Sequence, residues 1–365
     1  MIDDALLGGA ITLGRVISPI GGVIGAVNDT LQYRQANADM VMLATDKYNV
    51  EEGNANELLS GKSNMLGNSP ESERQNRNLI PDALALSSNI YCVSDESAQA
   101  YHTRSFYEHK GWIWINDYFK YPNAFPEIDR NQNFHKFLLS VKDEKGEKYI
   151  DKRTGLVSGI FFQYVNNRLI RIAYVTKGTT PTSPKDWGAN LKQGLDGNSA
   201  LYQKSLKNAS FINAMFNQYI RDCGFLYFFG HSLGGGLANY NAMTLKKPSV
   251  TFNAASVHPD SVIRNIKNYQ DLVKNKAMIG VYVEGEVLSN PDIYFNGKKI
   301  DLSNSVGLPK NGNRYKIELN PIYYTNGGNM IERHLLEPLC LQYGLIKINW
   351  KNRVSNWKNK VDIEF

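Results

Sequence analysis

The chain has 365 residues, enough for one large domain with an appendage, and its 42% hydrophobic and 21% charged content is that of a globular protein with a substantial core. Its three cysteines, Cys92, Cys223 and Cys340, are too few and too scattered for a disulfide framework or a metal knuckle, and no metal or cofactor is expected. The formal net charge of +6 is uneven, because residues 1–80 hold 6 Lys and Arg against 10 Asp and Glu and leave a basic remainder. A basic body favours anionic partners such as acidic lipid surfaces. Without an arginine-rich run or a nucleic-acid module signature, nucleic acid is not an expected partner.

The glycine-rich segment from Ala5 to Val27 follows Asp3 and Asp4 and so lacks the positive start of a cleavable signal peptide. Arg15 and Pro19 interrupt it, which argues against a simple membrane span and for a segment packed on its own domain. A membrane-active or carrier-docking role is the alternative. A helical pattern continues through Leu31 to Ala44, and Glu51 to Asn78, with six asparagines, reads as a loop or linker. Residues 1–80 are therefore expected to form a small helical appendage with a polar linker, and residues 81–365 the main domain.

Pro81 suits the first turn of a helix that runs to Tyr91. Gly111–Ile115 reads as a short aromatic strand. Gly159–Val165 and Arg168–Val175 form a hairpin about Asn166-Asn167, since asparagine tolerates the positive φ of a two-residue turn. A long helix is expected over Leu201–Asp222. Strands over Phe225–Phe229, Ser249–Phe252 and Ala277–Val283 then alternate with helices over Gly234–Leu245 and around Gln270–Asn275. Alternation of this kind predicts an α/β fold with a mostly parallel central sheet covered on both faces.

Within that alternation, Gly230-His-Ser-Leu-Gly234 fits the G-x-S-x-G nucleophile elbow, with a strand before it and a helix after it. Gly230 and Gly234 remove side chains that would collide where the turn is tight. Ser232 is the expected nucleophile, although a serine that merely caps the helix would occupy the same place. It needs a base, and in an α/β-hydrolase the order is nucleophile, acid, histidine. Of six histidines, His258 comes too early, so His334 is the expected base. The acid belongs at the end of the strand over Ala277–Val283, where Glu284 and Glu286 both stand; Glu286 is the better candidate and Asp292 the reserve. The oxyanion hole is expected from the N–H of Leu233 and from Thr179, in the loop after the strand that ends at Val175.

With these pieces in order, the chain resembles the class 3 lipase family of fungal-lipase-like α/β-hydrolases over roughly residues 81–345. The likeness is carried by Ala83–Tyr91, by Ile172–Thr179, by Asp186-Trp187, by Gly230–Ala238 and by Thr251–Ser256. Lys177 stands where the family usually has Arg, and Glu286 where it usually has Asp. The resemblance implies lid or substrate-binding roles for Asp186 and Trp187. Residues 289–330 exceed a minimal version and are expected to cover the site or form a groove.

The resemblance also implies a serine lipase, most naturally a phospholipase A, and its setting resembles that of bacterial lipase effectors delivered by a contact-dependent, type VI-like apparatus. A cognate immunity protein and a secretion carrier would then be partners. The protein would be made in the cytoplasm and exported by a non-Sec route to act on target-cell membranes from the periplasm. Trp350–Lys360 interleaves tryptophans with cations, as suits an anionic interface. The alternatives are a soluble esterase or thioesterase, or a non-catalytic membrane-binding or pore-forming protein on the same scaffold.

Overall fold

The structure, a computed structural model, describes residues 79–93, 108, 110–144, 146, 148–178, 199–220, 225–275, 277–288, 293–295, 298–300, 312–319, 324 and 330–345, with the pair Gly53–Asn54. The Gly-rich start, the expected helical appendage and the Trp350–Lys360 tail lie outside these residues. Strands in chain order are β1 (Gly53–Asn54), β2 (Trp112–Trp114), β3 (Ile150–Asp151), β4 (Leu156–Val165), β5 (Arg168–Thr176), β6 (Phe225–His231), β7 (Ser249–Phe252), β8 (Met278–Val283), β9 (Ile293–Phe295), β10 (Lys298–Ile300) and β11 (Asn313–Ile317). Helices are α1 (Leu79–Asn89), α2 (Ile115–Lys120), α3 (Pro126–Asp129), α4 (Gln132–Val141), α5 (Ala200–Tyr219), α6 (Leu233–Leu245), α7 (Pro259–Arg264), α8 (Ile266–Lys274), α9 (Met330–His334) and α10 (Leu336–Gln342).

The main sheet runs β1-β11-β8-β7-β6-β5-β4-β2, with β3 attached to β4. Pairing is parallel from β1 through β5 and antiparallel from β5 to β4 and β2. This is an α/β-hydrolase-like fold. The hairpin between β4 and β5 turns at Asn166 and Asn167, at φ 50° and 60°, the left-handed region its geometry requires. Strands β5 and β6 are buried on both faces because helices cover both. Ala173, Val175, Tyr227 and Phe229 pack with α1 and α10, while Ile172, Tyr174, Leu226 and Phe228 pack with α4, α5 and α6. Helix α6 is buried along its length, so it carries no polar stripe, and its small residues seat it on the sheet.

Two stretches carry strands that the sequence pattern does not show. The polar stretch 51–78, read as loop or linker, contributes β1, whose Gly53 and Asn54 pair in parallel with Tyr315 and Lys316. Within residues 289–330, β11 extends the sheet beside β8, and β9 and β10 form a separate antiparallel ribbon. Among the described residues no helix is long and apolar enough to cross a membrane.

Helix α1 delivers Tyr91 to the end of the sheet and is tied to it by a buried bond from Trp112 Nε1 to Asp82 Oδ2 at 2.8 Å. Burial pushes the Asp82 carboxyl up, opposed by that bond and by Arg171 and Lys110. Its other oxygen has no hydrogen-bond partner among the described residues. Losing the remaining donor would leave a buried carboxyl unsatisfied. Trp112→Phe is expected to lower stability by about 1–3 kcal/mol in urea unfolding. An unchanged midpoint would show that this bond does not hold α1.

Candidate active site

Strands β5, β6, β7 and β8 are neighbours and parallel, so their C-terminal ends meet along one rim. Open α/β sheets gather chemistry there. The residues just past those ends are Lys177 and Gly178, then Ser232, then Asn253, then Glu284 to Glu286.

Ser232 has φ 58° and ψ −129°, a conformation costly for a residue with a Cβ. The strand and helix force it: β6 must reverse at once into α6. A Cβ at Gly230 would lie 2.3 Å from the Gly234 carbonyl oxygen, and one at Gly234 would lie 2.2 Å from the Thr176 carbonyl oxygen. Both positions therefore need glycine because backbone passes too close for any side chain. The main chain of Ser232 is held by its N–H to Phe252 O at 3.0 Å and by Ala255 N–H to its own carbonyl at 2.9 Å. Its Oγ is buried and makes no hydrogen bond among the described residues. Contacts of this kind often tighten only when substrate is bound.

Glu286 and His334 come together from segments 48 residues apart, with His334 Nδ1 2.6 Å from Glu286 Oε2. Both side chains are almost wholly buried. A carboxylate oxygen only accepts, so Nδ1 carries a proton, and in the neutral ring the lone pair is then on Nε2. The same Oε2 accepts the Leu288 N–H at 2.8 Å, which fixes the carboxylate in its turn. Gly285, at φ 73°, makes the turn that carries Glu286 inward, whereas Glu284 stays exposed and meets Lys316 Nζ at 3.3 Å. Of the two adjacent carboxylates, only Glu286 meets the histidine. His258 is half-buried, and its carbonyl accepts the N–H groups of Ser261 and Val262 at the start of α7.

Leu233 opens α6 directly after Ser232, and its N–H belongs to the first helical turn, whose donors have no partner within the helix. Gly178 approaches from β5: a Cβ there would lie 3.0 Å from Ser232 Cβ and 2.6 Å from the hydroxyl oxygen of Tyr91. Gly178 is thus pressed against the serine. Thr179, Asp186, Trp187 and Asp292 lie outside the described residues. No group of three or more His, Cys, Asp or Glu among the described residues is placed to hold a metal ion.

Three side chains beside the serine were not singled out by the sequence. His231 Nε2 lies 2.8 Å from the carbonyl oxygen of His334, and His231 Nδ1 lies 2.8 Å from the Tyr91 hydroxyl. Asn253 Nδ2 donates to the same His334 carbonyl at 3.0 Å. Burial, and then the neighbouring His334, push the His231 imidazole down to about 3. His231 is therefore neutral at physiological pH. The local signals were its place next to Ser232 and the Asn within Thr251–Ser256, but neither names a partner.

An oriented imidazole beside a serine at a helix start can deprotonate a hydroxyl and protonate a leaving oxygen, which is the equipment of acyl transfer. Among known families, the model of a phospholipase-like family, the Tle-like phospholipase domain, matches residues 86–310. That span includes Ser232 and Glu286 and ends before His334. No curated protein matches the chain.

Replacing Glu286 by Gln offers Nδ1 an amide that can donate, which favours the wrong tautomer of His334. Ester turnover is expected to fall by about 10³–10⁴-fold in Glu286→Gln, as for carboxylate-to-amide changes in such triads. Glu284→Gln should stay within about twofold, as befits a surface ion pair. Initial rates on a short soluble ester, with circular dichroism as a check on folding, decide between them. Equal effects of the two changes would remove Glu286 from this role.

Proposed function

The chain belongs to the family of Tle-like phospholipase domains, a family of bacterial phospholipase effectors, and from that premise we propose that it is a serine hydrolase removing an acyl chain from membrane phospholipid. One observation carries the reading. A buried Glu286–His334 pair and a serine at positive φ share one rim of the sheet, in the chain order nucleophile, acid, histidine.

In this reaction Ser232 Oγ attacks the ester carbonyl carbon while its proton passes to His334 Nε2. Glu286 keeps Nδ1–H oriented and stabilises the imidazolium that forms. Negative charge develops on the former carbonyl oxygen and is met by the Leu233 N–H at the start of α6 and by Thr179. Collapse breaks the ester C–O bond, and His334 returns the proton to the departing alkoxide, releasing a lysophospholipid. Water, deprotonated by His334, then attacks the acyl carbon; the bond to Ser232 Oγ breaks, His334 returns the proton to Oγ, and a fatty acid is freed.

The basic body beyond residue 80 supports an anionic membrane as the working surface. Asp186 and Trp187 would lie in the lid or substrate-binding loop, in keeping with the class 3 lipase resemblance. As an effector, the protein would leave its producer by a non-Sec, type VI-like route with a carrier and act on target-cell membranes from the periplasm. A cognate immunity protein would protect the producer.

Vesicles of phosphatidylethanolamine and phosphatidylglycerol test the reading by their products. Free fatty acid and lysophospholipid should appear with the wild type and vanish with Ser232→Ala. Release of a phosphorylated headgroup would place the cut at the phosphodiester instead. Turnover of soluble esters or thioesters alone would favour an esterase or thioesterase. Vesicle leakage that persists in Ser232→Ala, without products, would favour a membrane-binding or pore-forming protein.

A further inference from the structure

We propose that His231, the residue before the serine, is a positioning residue that locks the main chain of His334 onto the nucleophile-bearing turn. This rests on the reading of Ser232 and His334 as nucleophile and base. His334 sits on α9, a helix of only 5 residues that reaches the site 103 residues after His231. Glu286 orients its ring, but ring orientation does not fix where its backbone stands relative to Ser232. Something must hold the backbone as well.

His231 supplies that hold. The His334 carbonyl can only accept, so His231 Nε2 carries a proton and donates across 2.8 Å. A neutral ring then has its lone pair on Nδ1, which accepts from the Tyr91 hydroxyl at 2.8 Å. The carbonyl thus sets the tautomer of His231, and the Tyr91 hydroxyl, which can donate or accept, donates to the nitrogen left bare. Asn253 fills the second acceptor position of the carbonyl at 3.0 Å and also donates to Arg333 O at 3.2 Å. Its own Oδ1 accepts the Val283 N–H at 2.9 Å, so the clamp is anchored to the strand that leads to Glu286. The segments that carry nucleophile, base and acid are tied to one another through the side chains of His231 and Asn253.

The electrostatics suit a silent role. The two rings lie with centroids 4.9 Å apart, and the groups facing His231 are Tyr91, His334 and Glu286. A protonated His231 would repel the imidazolium that His334 becomes during turnover. Burial and His334 itself keep His231 neutral, so only one charged ring forms.

Steady-state kinetics of the full chain on a short p-nitrophenyl ester test the proposal. His231→Leu removes the donor and should lower kcat about ten- to hundredfold, the scale of a small misplacement, with KM within about twofold. His231→Gln, whose amide can still donate to the carbonyl, should recover most of that loss. Tyr91→Phe should lower kcat by a few fold. Nitrogen NMR of the wild type gives a readout independent of any variant: the His231 ring should remain the neutral Nε2–H tautomer from about pH 8 to pH 5.5. An imidazolium or an Nδ1–H tautomer in that range would overturn the proposal. So would unchanged kcat in His231→Leu, or equal losses in Leu and Gln that merely follow thermal stability. A wild type without Ser232-dependent activity would sink the catalytic reading and this proposal together; a normal His231→Leu in an active, Ser232-dependent enzyme would sink this one alone.

Discussion

The reversal at Ser232 is the constraint on which the rest of the structure depends. A serine at φ 58° costs of order 1–3 kcal/mol and persists only where its surroundings leave it no alternative. Here they leave none. The turn is bonded on one side to Phe252 and on the other to Ala255, and Thr176 Oγ1 donates to the Gly234 carbonyl at 2.7 Å from beneath. The bare glycines at 230 and 234 let strand, turn and helix occupy almost the same space. The strain is therefore distributed over β5, β6, β7 and α6. In return the serine stands at the positive end of a helix, where a developing oxyanion is favoured.

Around that turn, the fold solves a problem of charge in a dry place. Glu286 is fully buried, and an isolated buried carboxylate is strongly disfavoured. It is compensated by His334 Nδ1–H and the Leu288 N–H, both on the same oxygen. In the proposed reaction His334 takes up a proton, and the pair then becomes an ion pair whose attraction is strengthened by the low dielectric. His231 would spoil this arrangement if it were charged, and its burial prevents that. On the proposed reading the site hosts one transient cation, placed against the Glu286 carboxylate.

Local chemistry made part of this legible in the sequence. The Asn166-Asn167 turn, the glycines about Ser232 and the alternation of apolar strands with helices each encode a backbone need within a few residues. Glu286 follows Gly285, and the positive φ of that glycine turns it inward while Glu284 stays exposed. Other features had no local signature. Strand β11, Asn-Arg-Tyr-Lys-Ile, is short and mixed in polarity, and only β8 and β1 on either side make it a strand. Gly53 and Asn54 sit in a polar stretch and pair only because an open sheet edge lies beside them. The bonds from His231 and Asn253 to His334 span 103 and 81 residues, distances at which no periodicity or spacing carries information. Tertiary contact, not propensity, creates them.

The central claim is that Ser232 is a nucleophile made reactive by His334. Covalent labelling with a fluorophosphonate probe, mapped by peptide mass spectrometry on the full chain, tests it most directly. The account predicts a single adduct on the peptide that carries Ser232, formed rapidly in the wild type and at a rate lowered by orders of magnitude in folded His334→Ala. An adduct on another residue, or a labelling rate indifferent to His334, would contradict it.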